Sequence, residues 1–118
     1  MKRLALTLLL ATAGSIAFAQ ATPVGLWKTI DDETKAEKSL VRVTDNAGVL
    51  TGKIEKLLDP AKQNDVCDKC TDDRKDKPIL GMTIITGVKQ SASAADIWDG
   101  GHILDPNDGK VYKVRLSP

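Results

Sequence analysis

VLTGKIEKLL, residues 49–58, decides how this chain folds. Leu50, Gly52 and Ile54 fall on one side of an extended backbone, and Thr51, Lys53 and Glu55 fall on the other. Side chains alternate between the two faces of a strand, so this spacing marks one apolar face and one wetted face. Runs of the same kind lie on either side. Upstream are GLWKTI at 25–30 and SLVRVT at 39–44. Downstream are GMTIITGV at 81–88, residues 96–104 around Trp98, and KVYKVRL at 110–116. In the last run Val111, Lys113 and Arg115 oppose Tyr112, Val114 and Leu116.

Turn clusters separate the runs. DDETKAEK follows the first, Asp45-Asn46-Ala47-Gly48 the second, and Asp105-Pro106-Asn107-Asp108-Gly109 precedes the last. Asn and Gly tolerate the positive φ that tight turns demand, and Pro sets φ at a turn's first corner. The pattern predicts an all-β domain of about six antiparallel strands in an up-and-down meander. Six strands leave open edges, so the sheet is expected to stay open or to be completed by another chain, including by self-association. Residues 59–79 break the alternation. They hold Pro60, Pro78 and a dense mixture of charges, and they carry both cysteines of the chain.

The chain opens MKRLALTLLLATAGSIAFAQATP. Lys2 and Arg3 precede an uncharged run from Leu4 to Ala19, and Ala17 and Ala19 have the small-x-small spacing of a signal-peptidase site. Residues 1–19 therefore read as a signal peptide cut near Ala19, leaving residues 20–118 as a single exported domain, periplasmic or secreted. The apolar run is shorter than the roughly 20 residues needed to span a bilayer, so no integral membrane segment is expected after processing. No cysteine lies near the cleavage region to carry a lipid. Removal of the leader leaves 15 Lys and Arg against 16 Asp and Glu, a net charge of −1. That balance offers no field for a phosphate backbone, so nucleic acid is not an expected partner. A domain of this size buries roughly 65% of its unfolded surface, enough for a modest core.

TPVGLWKTIDDET, SLVRV, GKIEKLL, CDKC, DRKDKPILGM, the W-x-G-G of Trp98 to Gly101 and ILDPNDGKVYKVRL occur in that order. Together they resemble the secreted bacterial family filed as domain of unknown function 2147, from about Thr22 to Leu116. The resemblance implies a lipocalin- or calycin-like antiparallel barrel with an apolar interior. Members of that family usually continue for some forty residues more, so the barrel here is expected to be incomplete or open. The resemblance also implies that Gly25 and Trp27, a Gly-x-Trp, place an indole across one end of the barrel against an arginine of the last strand. Arg115 on the sixth run is a poor positional substitute for that arginine.

Cys67 and Cys70 admit three readings. A closed metal site needs four ligands, and the only histidine, His102, lies far along the sequence, so no metal or other cofactor is expected. A catalytic dithiol wants a helix N-terminus to lower its pKa, whereas TDDRKDKP follows here with carboxylates that raise it. An intramolecular disulfide fits an oxidising compartment, and it stitches the loop with about 2 kcal/mol of chain-closure stabilisation. The acidic residues of 62–77 do not match a calcium-loop spacing and are interleaved with Lys and Arg, so they read as a solvated loop. No catalytic motif occurs, and an enzyme is not expected. The apolar strand faces have two readings. They fill the core, or they surround a small apolar or amphipathic ligand, with Ile84, Val88, Trp98 and Tyr112 as lining residues. Such a ligand, a partner in the cell envelope, and thiol–disulfide exchange at the cysteine pair are the three expected functions, in that order.

Overall fold

The computed structural model describes residues 22–118; the expected leader and its cleavage position near Ala19 lie outside the described residues. Six strands form one sheet: β1 (Gly25–Ile30), β2 (Glu37–Asn46), β3 (Val49–Leu57), β4 (Thr83–Gln90), β5 (Trp98–Asp105) and β6 (Lys110–Leu116). Each pairs antiparallel with its sequence neighbours, in the order β1 to β6, and the sheet curls into an open half-barrel. The expected all-β meander is therefore present, with a single turn of 3-10 helix at Pro60–Lys62.

Alternation places the core. Val43 lies opposite Gly52, Val41 opposite Ile54, and Leu50 opposite Val88, so β2, β3 and β4 turn one apolar row after another to the same side. Val41, Val43, Leu50 and Val88 are all 1% exposed or less. Burying each such side chain contributes about 1.5–3 kcal/mol, so this inner row carries much of the stability. Gly52 makes the close approach of β3 and β4 possible. A Cβ there would lie 2.9 Å from the Ile85 side chain and 3.1 Å from that of Val41. Register shifts interrupt four of the five strand pairs, and such bulges increase the local twist that curls a sheet.

At Ile84 and Ile85, β4 is buried on both faces. Ile85 packs toward Gly52 and Val41 on the inner side. Its neighbour Ile84, 4% exposed, borders an outer groove with Leu104 and Thr86. The cover on that side is the excursion between β3 and β4. Its two ends run together through a Val66–Pro78 bridge, with Cys67 N–H donating to the Lys77 carbonyl at 2.9 Å and Asp76 N–H to the Cys67 carbonyl at 2.8 Å. Arg74 donates to the Thr83 carbonyl at 3.1 Å, tying the loop to the start of β4. The solvated loop expected from its charges is thus a cap with a dry underside: Cys67 and Cys70 are 0% and 1% exposed.

Candidate functional site

The two cysteines are joined, with Cα atoms 5.5 Å apart. Their seat is built by the β5–β6 turn. Cys67 Sγ lies 3.9 Å from the Pro106 carbonyl oxygen, and a side chain on Gly109 would fall on the Lys69 carbonyl and the Cys70 amide. Gly109 has φ +72, so it supplies both the turn geometry and the space the loop occupies. Asp105 completes the turn by accepting from Asn107 N–H at 2.9 Å through its side chain and from Gly109 N–H at 2.8 Å through its carbonyl.

The structure distributes the residues singled out from the sequence over several surfaces. Val88 and Trp98 share the inner face: Trp98 pairs with Gln90, two residues along β4 from Val88, and with Leu116 across to β6. Ile84 lies on the outer face beneath the disulfide loop. Tyr112 is 45% exposed at the rim and donates its hydroxyl to Asp108, which raises the tyrosine pKa and lowers that of the carboxylate. Gly25 and Trp27 open β1, with Trp27 opposite Val41 and packed against the core. The Trp27 indole N–H donates to the Pro23 carbonyl at 2.6 Å, so the ring is held by the segment just before its own strand.

Trp98 differs from Trp27 in one decisive respect. It is 6% exposed, and its indole N–H is buried without a hydrogen-bond partner. Buried donors are nearly always paired, and leaving one unmet costs about 1–3 kcal/mol. Close by, the inward residues of β6 are only partly covered: Val114 and Leu116 pack against the core yet keep an open side. Gly101, opposite Val114, has no room for a side chain, because a Cβ there would fall on the Thr86 carbonyl and 2.7 Å from Val88. The inner face at this end is therefore apolar, partly covered, and holds one unsatisfied donor.

Outside, the loop overhangs two grooves that meet at Arg74 and Thr86. One, of about 560 Å³, runs past Lys77, Leu80 and Met82. The other, of about 320 Å³, runs past His102, Leu104 and Val111. Arg74 and Asp72 form an ion pair, through which the guanidinium and then the Arg74 backbone N–H hold the Asp72 pKa down to about 2. Sequence reading missed these grooves, since His102 and Arg74 lie on separate elements and only the packed loop brings them together. Among the described residues no three metal-binding side chains cluster, and no helix is long and apolar enough to cross a membrane.

The family model described as an uncharacterized protein conserved in bacteria, DUF2147, matches residues 25–118. Neither a curated protein nor a solved structure matches the chain.

Proposed function

We propose, from the premise that the chain belongs to the DUF2147 family, that it is an exported, non-catalytic protein that binds a small apolar or amphipathic molecule on the inner face of its half-barrel. The observation that carries this reading is the unpaired Trp98 N–H beneath a partly open apolar surface. A ligand with an acyl-like body would bury surface against Val114 and Leu116 at about 25 cal/mol per Å². A carbonyl or carboxylate on that ligand would accept from Trp98. The basic, then apolar, then small-residue order of residues 1–19 supports export.

Organic extraction and mass spectrometry of protein purified from the cell envelope should recover a stoichiometric amphipathic compound. Tryptophan fluorescence should saturate with a long-chain fatty acid used as probe. Trp98→Phe should weaken that binding about tenfold while leaving a matched hydrocarbon without an acceptor unaffected, since 1.4 kcal/mol is a factor of ten. Repeated empty extracts together with a flat titration would remove this reading.

One observation favours a partner protein as the second reading. The β6 strand exposes Val111 and Tyr112 beside Lys113 and Arg115, which form no ion pair among the described residues. Crosslinking in the envelope and sizing across a concentration series would reveal such a partner, a second copy included. Thiol–disulfide exchange has the least support, because an attacking thiolate must reach a sulfur and both sulfurs are covered.

A further inference from the structure

The depth of the disulfide carries a consequence for the order in which this protein is made. Cys67 and Cys70 belong to the core cluster, and what lies over them comes from much later in the chain. Pro106, whose carbonyl faces Cys67 Sγ, is 39 residues downstream. Gly109, in the same turn, lies against the Lys69 carbonyl and the Cys70 amide. The bridge shares its buried cluster with residues of the sheet, among them Ile84 and Leu104, which are 4% and 2% exposed. Disulfide exchange proceeds by attack along the line of the sulfur–sulfur bond through a mixed disulfide, so a covered sulfur is neither oxidised nor reduced by an external reagent without prior opening.

We infer that Cys67 and Cys70 are oxidised before the β5–β6 turn docks, by a disulfide-bearing oxidant acting on the still open chain, and that docking then seals the bridge. In that step one protein thiolate attacks the oxidant's disulfide and expels one oxidant thiol. The second protein thiolate then attacks the mixed disulfide and expels the other. The chain loses two protons and two electrons, and the oxidant gains them as two thiols. The reaction class that must precede folding is thus thiol oxidation by disulfide exchange. This inference does not rest on the ligand reading, and neither outcome of the ligand experiment bears on it.

The test uses the processed full chain in its native oxidised form. Dithiothreitol is applied in buffer and in urea, thiols are trapped with N-ethylmaleimide, and intact mass gives the rate. Reduction in buffer is expected to be at least about a hundredfold slower than in urea, because it must wait for opening of the folded state. In the reverse direction, reduced unfolded chain is diluted into buffer with oxidised glutathione present from the start, or with it added after tryptophan fluorescence has settled. Early addition should close the bridge quickly. Late addition should close it slowly, or the reduced chain should fail to reach native fluorescence until oxidant arrives; both results place oxidation first. Equal reduction rates in buffer and urea would overturn the inference. So would a reduced chain with native fluorescence that oxidises as fast as the unfolded one. Gly109→Ala locates the cover: if it folds, native-state reduction should quicken at least about tenfold as the turn is pushed off Lys69, whereas Gly100→Ala in β5, which carries a like backbone strain at φ +82 but meets nothing within 4 Å, should quicken it far less. Unchanged protection in folded Gly109→Ala would remove the turn from its assigned place, and the two wild-type rates decide the order even if that variant does not fold.

Discussion

Single residues hold this half-barrel at points where the backbone leaves no tolerance. Gly101 is the strictest, because a methyl group there meets the Thr86 carbonyl and the Gly87 carbonyl carbon, which belong to a paired strand. Gly101→Ala should cost about 3 kcal/mol or more in urea unfolding. At Gly52 the obstacles are side-chain atoms of Ile85 and Val41, which can give way, so Gly52→Ala should cost only about 1 kcal/mol. Asp72 is one residue that binds pH to structure. Its pKa of about 2 lies below the ordinary carboxylate range because Arg74 pairs with the charged form. A group depressed on folding stabilises the loop at pH values above its unfolded pKa, and that contribution fades as pH falls toward 2. Carboxyl-carbon NMR should place the Asp72 midpoint near 2, and Arg74→Leu should raise it toward the ordinary range, the remaining depression coming from the Arg74 backbone N–H. Salt should narrow the difference, since the pair is partly exposed.

Among the elements, the β2–β3 hairpin has a turn whose chemistry departs from its optimum. Asn46 pairs with Val49, leaving Ala47 and Gly48 as a two-residue loop with φ of 54 and 90. Such a turn prefers Asn-Gly, because a Cβ-bearing residue other than Asn or Asp is strained at positive φ. The sequence placed Asn one position too early to fill that role, and Asp45 compensates by accepting from Gly48 N–H at 2.7 Å. Ala47→Asn should therefore raise stability by about 0.5–1 kcal/mol in chemical denaturation. The excursion between β3 and β4 teaches the opposite lesson. Its charges and prolines read as a wetted loop, yet the disulfide sits beneath it in the core. Cys67→Ala with Cys70→Ala should cost about 3–4 kcal/mol, more than the 2 kcal/mol of chain closure alone, because two buried side chains are lost as well. Equilibrium urea unfolding of the oxidised wild type against the double variant measures the difference.

For the whole molecule, a single cluster joins the inner face of the sheet, the disulfide and Met82. One shared core implies one cooperative transition, so far-UV circular dichroism and tryptophan fluorescence should report the same urea midpoint. Separate midpoints would divide the cap from the sheet. The half-barrel also explains why the anticipated lining residues do not surround one space. Curling a six-stranded sheet packs its central rows against each other, and Val88 ends fully buried, while the rim that carries Tyr112 stays exposed. Ile84 belongs to the other side altogether, where the loop covers the start of β4.

The sequence by itself determined the elements and their order. Side-chain alternation depends only on neighbouring residues, and β1 and β6 run over the very residues their patterns mark. It also determined that two cysteines three positions apart would close on each other once oxidised. Alternation cannot say which face of a strand a distant loop will cover. It does not reveal that Gly109 leaves room for Lys69, or that one tryptophan finds an acceptor four residues away while the other finds none. Those outcomes depend on contacts between segments far apart in the chain, and only the packed tertiary structure decides them, because each exists only after curling and docking have brought both partners to the same place.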